Sequence, residues 1–288
     1  MTVTIRPRRS VLYMPGSNAR ALEKAQSLPA DALILDLEDA VAPDAKELAR
    51  QQVAAAVKAR GFGKREVVIR VNALSTPWGA ADLVAAADAG PDAILVPKVS
   101  APGELAEIEG RLGRAKVALW AMVETPLAIL NIASITAAGG RLSCFVMGTN
   151  DLIKEFRGRH TQDRQNLSAA LGLSVAAARA HGLAVIDGVY NDIKNADGFA
   201  ESCRQGLSYG FDGKTLIHPS QIEPCNEIFA PSAEEVAAAR EIIAAFELPQ
   251  NKGKGAIALN GRMVELLHAE IARQTVALAD AIAALGNA

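Results

Sequence analysis

Aromatic residues are scarce in this chain: Trp, Tyr and Phe together make up 4% of its 288 residues, although half of all residues are hydrophobic. A core drawn from such a chain has to be aliphatic, packed from Ala, Val, Leu and Ile. Cysteine is scarcer still. Cys144, Cys203 and Cys225 stand far apart with no C-x-x-C pair, which argues against zinc or disulfides and for free thiols in a reducing cytosol. Charge of one sign is also lacking. With 30 basic against 32 acidic residues the net charge is −2, so nothing draws the chain to nucleic acid or an anionic membrane. No stretch reaches the roughly 18 unbroken apolar residues of a membrane span. The opening MTVTIRPRRS has no apolar signal core either, so a cytoplasmic protein is expected. G-x-S-x-G occurs once, at Gly206–Gly210, ahead of an expected strand and not after one as a nucleophile elbow requires, so a serine-nucleophile hydrolase is not expected.

What is present is a series of short, evenly apolar runs. Strands are expected at Ser10–Met14, Ala32–Leu37, Val67–Val71, Ala93–Val96, Val117–Val123, Leu142–Met147, Leu183–Ile186 and Gly213–Ile217. Alanine-rich helical segments fill the gaps between them. Eight strand–helix units with runs this short and apolar predict a (β/α)₈ barrel. An open doubly wound sheet is the alternative, but the first strand–helix turn has neither G-x-G-x-x-G nor a Walker-type loop. Polar residues gather where the strands end: Asp36, Glu38 and Asp39, then Arg70 and Asn72, Lys98, Glu124, Asp151 and Asp187. That is the face on which barrel enzymes build their sites.

Within this series, Val117–Leu152 carries the most chemistry. Two apolar runs end in V-E-T-P and G-T-N-D, with a Pro126-initiated helix between them. Such a crossover makes the strands parallel neighbours, about 4.8 Å apart, so Glu124 and Asp151 can converge on one small cation. Magnesium suits two carboxylates, leaving other positions to water and substrate. An ordinary pair of solvated strand-end acids fits the same spacing. Asp36, Glu38 and Asp39 are candidates to fix waters around the metal. Arg70 is a planar cation facing the same mouth, suited to a carboxylate or a developing oxyanion. An ion pair with the acidic cluster is its structural alternative. Arg9, Arg20 and Lys24 flank the first strand and could grip phosphates, although a solvated helix face accounts better for Arg20. His218 is expected to satisfy a strand-end hydrogen bond.

The eight-fold pattern takes up residues 1–230, leaving 231–288 as a C-terminal extension. It holds an amphipathic helix over Glu234–Phe246, a polar linker at 249–255, a hairpin at 256–264 turning on Asn260-Gly261, and a last helix over Glu265–Ala284. Hairpin and helix on a tether read as a lid or subunit-exchange arm, or as a helix packed flat on its own barrel.

RRSVLYMPGSN…LEKA, LILDLEDAVAPDAK, VVIRVNAL, VPKV, AMVETPLAILNI, FVMGTNDL and FDGKTLIHPSQI resemble the citrate lyase beta subunit-like proteins of the HpcH/HpaI aldolase/citrate lyase superfamily. Malyl-CoA and citramalyl-CoA lyases are among them, and the resemblance runs in order from about Arg8 to Ala284. It implies a Mg²⁺-dependent carbon–carbon lyase (Mn²⁺ possible) acting on a 3-hydroxy-dicarboxylic acyl-CoA, with Glu124 and Asp151 as metal ligands. Arg70 would meet the substrate, and Lys24 with the N-terminal strand region, where Arg9 stands, the CoA phosphates. It further implies a homotrimer or hexamer whose lid covers a neighbour's site. A malyl-CoA-type thioesterase and a carrier-dependent citrate lyase subunit are the alternatives. One departure stands out. Where the family's lid carries Asp in G-x-M-I-D, this chain reads Gly261-Arg-Met-Val-Glu265, so Glu265 is expected to act as acid or base from one methylene further out.

Overall fold

A computed structural model describes residues 5–286. The chain forms two compact units, one spanning Arg8–Phe229 and the other taking described residues 5–7 and 230–286.

The larger unit is a closed barrel of eight parallel strands in sequence order: β1 (Ser10–Pro15), β2 (Ala32–Asp36), β3 (Glu66–Arg70), β4 (Ala93–Val96), β5 (Ala118–Val123), β6 (Leu142–Met147), β7 (Ala184–Asp187) and β8 (Gly213–Leu216). The expected (β/α)₈ architecture is therefore the observed one. Both faces of each strand are covered, which is why the runs read as continuously apolar. Val11, Ile34, Val68, Leu95, Trp120, Met122, Cys144, Val146 and Ile186 fill the barrel interior. Their neighbours in sequence, such as Leu12, Leu33, Leu35, Ile69, Leu119 and Phe145, face the surrounding helices. Trp120, fully buried, supplies bulk that an aliphatic interior would otherwise lack. The guanidinium of Arg8 lies 5.1 Å from its ring and pairs with Glu66 at 2.6 Å. Both precede or begin their strands, so this pair sits at the barrel end opposite the strand C-termini.

Local signals place the key turns. Thr125 caps the helix after β5, accepting from the Ala128 N–H at 3.0 Å, and Pro126 occupies its first position, where a missing N–H removes no hydrogen bond. The helix is interrupted at Asn131, whose amide donates to the Ser100 carbonyl at 2.8 Å, and resumes over Ile132–Ala137.

The second unit has its own small core of Ala245, Phe246, Ile257, Val264 and Ala269. Ser232 and Glu235 form a capping box at the start of the Ala233–Glu247 helix. β9 (Ala256–Leu259) and β10 (Arg262–Glu265) pair antiparallel through Asn260-Gly261, both at positive φ, as a type I′ turn demands. A 21-residue helix, Leu266–Gly286, follows. Among the described residues, no helix is long and apolar enough to cross a membrane.

Candidate active site

Period-2 alternation decides which strand-end residues enter the barrel mouth. Ile34 and Val68 point inward, so Asp36 and Arg70, two residues on, do the same; they are register partners on adjacent strands. Arg70 grips Asp36 with two prongs, Nε to Oδ1 at 2.7 Å and Nη2 to Oδ2 at 2.6 Å. Each Asp36 oxygen also accepts a backbone N–H, from Glu38 at 2.8 Å and Ala40 at 3.0 Å. Asp36 therefore fixes both the following loop and the plane of the guanidinium. Of the expected roles for Arg70, ion pairing is present in the structure. The third nitrogen of the fork is in contact as well. Nη1 lies 2.8 Å from Glu38 Oε2, 3.4 Å from Asp39 Oδ2 and 3.7 Å from Met122 Sδ. The Glu38 contact is close without being aligned, and Oε2 is buried with no hydrogen bond. Burial pushes the Glu38 carboxyl up to about 8 against the opposing pull of Arg70.

Glu124 directly follows β5, and Asp151 stands in the helix that follows β6. Met122 and Val123 pair with Val146 and Met147, which brings Glu124 level with Gly148. A Cβ on Gly148 would stand 2.4 Å from Glu124 Oε2, so only glycine leaves room for that carboxylate. Glu124 is almost wholly buried. Its Oε1 accepts the Lys98 N–H at 2.8 Å, at a residue held in the left-handed region with φ +56°. Asp151 stands in the first turn of the Thr149–Glu155 helix. Burial first, and the Asp151 charge second, push Glu124 up to about 7.

A buried carboxyl whose hold on a proton is strengthened by a neighbouring acid is also suited to a cation. Among the described residues, no three His, Cys, Asp or Glu side chains form a complete metal cluster. Magnesium does not require one: it binds through one or two carboxylates and keeps several waters. The buried, unbonded oxygen of Glu38 and the crowded Glu124 carboxylate fit that ion. Glu124 would have to shed its proton to act as a ligand. Mg²⁺ affinity should therefore rise with pH from about 5 to 8, and binding at pH 6 should release close to one proton, the fraction expected for a group titrating near 7. Calorimetry in buffers of different ionisation enthalpy measures that release; pH-independent affinity would contradict it.

The other expected residues divide. Asp39 is exposed and touches Arg70 only at 3.4 Å. Lys24 is exposed on the Ala19–Ala25 helix and makes no ion pair among the described residues. Arg9 is placed elsewhere: it precedes β1, at the far end of the barrel from the mouth, and closes on Asp31 at 2.8 Å. Asp187 corrects the expectation of a mouth residue. Ile186 takes the inward position on β7, so Asp187 faces outward, where Arg164 and Lys214 hold it, each at 2.7 Å. Burial works against its charge, but the two cations outweigh it and keep its carboxyl low. His218 accepts the Ser220 N–H at 3.2 Å, the strand-end role expected of it. Glu265 ends β10 in the second unit, exposed, with its N–H on His268 Nδ1 at 3.0 Å.

Two contributors escaped sequence reading. Lys46, buried on an otherwise ordinary amphipathic helix, donates to the Leu37 and Glu38 carbonyls at 2.8 and 2.7 Å and to Asn72 Oδ1 at 2.9 Å, which pins the acidic loop. Tyr13 lies beneath Arg70, its ring 4.8 Å from the guanidinium carbon. The alternation in SVLYMP marks Tyr13 as inward-facing, but nothing in sequence pairs it with Arg70.

The model of the HpcH/HpaI aldolase/citrate lyase family matches residues 9–219. Over 278 residues, 96% of either chain, the sequence is 51% identical to a (3S)-malyl-CoA thioesterase of Cereibacter sphaeroides. It is 35% identical to the citrate lyase subunit beta of Escherichia coli, over 90% of this chain and 89% of that one. Among solved structures, the CitE protein of Mycobacterium tuberculosis in complex with magnesium, acetoacetate and coenzyme A superposes with a TM-score of 0.76 at 30% identity, covering 94% of this chain and 99% of the other.

Proposed function

The chain belongs to the HpcH/HpaI aldolase/citrate lyase family, and we propose that within it the protein is a magnesium-dependent enzyme hydrolysing the thioester of a malyl-CoA-type 3-hydroxy-dicarboxylic acyl-CoA. The observation that carries this reading is the nearness of Glu124, just after β5, to Asp151, in the helix that follows the adjacent β6, at the barrel end that also holds the inward-facing Arg70. Hydrolysis is favoured over carbon–carbon cleavage by the 51% likeness to a named thioesterase across nearly the whole chain.

Glu124 and Asp151 would hold Mg²⁺, which when bound polarises the substrate oxygens it touches and offsets their charge. Arg70, aligned by Asp36, would turn its Nη1 edge from Glu38 and Asp39 to the oxygen that gains charge as water adds to the thioester carbonyl. The C–S bond then breaks, the acid is released, and the sulfur leaves as free CoA thiol after taking up a proton. Glu265, from a neighbouring copy in a trimer or hexamer, is the proposed group for moving that proton. Lys24 is the proposed contact for the CoA phosphates.

The second reading is the lyase, favoured by the 35% likeness to citrate lyase beta subunits. There the 3-hydroxyl loses its proton, the adjacent C–C bond breaks, and its electrons form the acyl-CoA enolate while an oxo acid departs. Malyl-CoA followed for both products separates the two. Hydrolysis yields free thiol and no oxo acid; the lyase yields oxo acid with the thioester intact. Neither product from free CoA esters would point to a carrier-dependent subunit and overturn the proposal. Glu265→Gln in the same assay should lower turnover while sparing Mg²⁺ affinity; unchanged turnover would remove Glu265 from the mechanism.

A further inference from the structure

On β1, Val11 and Tyr13 belong to the barrel interior, while Leu12 and Met14 pack against the helices. Tyr13 therefore rises inside the barrel near its C-terminal end. In the closed order β1 stands opposite β5, the strand leading to Glu124. The neighbouring charges are Arg70, Asp36, Glu124 and Glu38, so the phenol shares the mouth with the acidic pair and the arginine. Arg70 lies over its ring at 4.8 Å, which leaves the ring little freedom to swing away.

The hydroxyl is the unusual part. Asp36 is bonded on both oxygens, and Lys46, Asn72 and Asp82 are bonded to their neighbours. Among the described residues, the Tyr13 hydroxyl has no hydrogen-bond partner, and on a half-buried side chain it is not one of the enclosed unpartnered atoms, so it is open to the mouth. An interior position that needed only bulk would be served by Phe or Leu, without a polar group to satisfy. Burial raises the phenol's pKa against the pull of Arg70, so the group stays protonated and acts as a donor.

We propose that Tyr13 is a catalytic residue whose hydroxyl donates to the substrate oxygen that gains negative charge, beside Arg70 and across the mouth from Glu124. The inference rests on the acyl-CoA reading of the same mouth. The phenol remains neutral throughout, and no proton leaves it. Its contribution is a preorganised dipole in a partly desolvated site, where a donor of this kind acts more strongly than in water.

Tyr13→Phe removes the hydroxyl and keeps the ring under Arg70. With malyl-CoA, turnover should fall by about 10²-fold, the scale of losing one oxyanion donor, while KM and Mg²⁺ affinity stay near wild type. Oxalate, a planar dianion, should bind the Mg²⁺-loaded variant about tenfold more weakly, as expected for one lost hydrogen bond to a charged group. Tyr13→Leu should lose at least as much. Wild-type turnover in Tyr13→Phe, with loss only in Tyr13→Leu, would overturn the proposal and reduce Tyr13 to a packing surface for Arg70. Loss of Mg²⁺ affinity in Tyr13→Phe would overturn it as well. A wild-type protein that neither binds Mg²⁺ nor turns over malyl-CoA overturns the acyl-CoA reading together with this one; an active wild type with an equally active Tyr13→Phe overturns this one alone.

Discussion

Glu124→Gln should abolish measurable Mg²⁺ binding and lower turnover by about 10³-fold, the upper scale for losing one preorganised electrostatic contributor, without weakening the fold. The substitution keeps shape, and its side-chain oxygen can still accept the Lys98 N–H. It removes a carboxylate that burial and Asp151 both disfavour as an anion. The sign is fixed by the shift: a carboxyl raised from 4.5 to about 7 contributes stability that is present below about 4.5 and lost as pH rises through 7. The metal-free wild type should therefore lose stability between pH 5 and 8 through this group, and Glu124→Gln should lose less. Opposite effects on Tm and on turnover mark a residue retained for function. Turnover within about tenfold of wild type, or a lower Tm at pH 8, would make Glu124 a structural residue. Asp151→Asn should weaken the metal in the same way.

Arg70→Lys should lower turnover by about 10²-fold although charge is conserved. A single ammonium cannot reproduce the two-pronged grip on Asp36 at 2.7 and 2.6 Å while also extending an edge toward substrate. Asp36 would keep its bonds from the Glu38 and Ala40 N–H groups, so the acidic loop should survive. Circular dichroism and Mg²⁺ titration check that the loss is local. Near-normal turnover would mean that Arg70 serves only to neutralise Asp36 and Glu38.

The barrel was legible because each strand is buried on both faces, which leaves short continuous apolar runs between helical stretches. The nearness of Glu124 and Asp151 was legible because consecutive parallel strands are neighbours in space, so the segments that follow them meet. Asp187 was misplaced because position along a strand was considered without its parity; Ile186 takes the inward slot, and the carboxylate turns toward Lys214. Arg9 was misplaced for a related reason. A basic residue beside a strand can lie at either end of the barrel, and Arg9 precedes β1 where the mouth follows it. Lys46 and Arg164 could not be found by periodicity, since each looks like a surface residue until a distant carbonyl or carboxylate is brought to it. Tyr13 was visible as an inward residue, but its partner Arg70 lies 57 positions away and is joined to it only by barrel closure.

The central claim is that acyl-CoA chemistry in this protein depends on a cation held by Glu124 and Asp151. Thiol release from malyl-CoA, measured in EDTA and then with Mg²⁺ restored, for wild type and Glu124→Gln side by side, tests it most directly. Wild type should be inactive in chelator and recover fully with Mg²⁺, and Glu124→Gln should stay inactive in both. Undiminished thiol release in EDTA, or from Glu124→Gln, would contradict the claim.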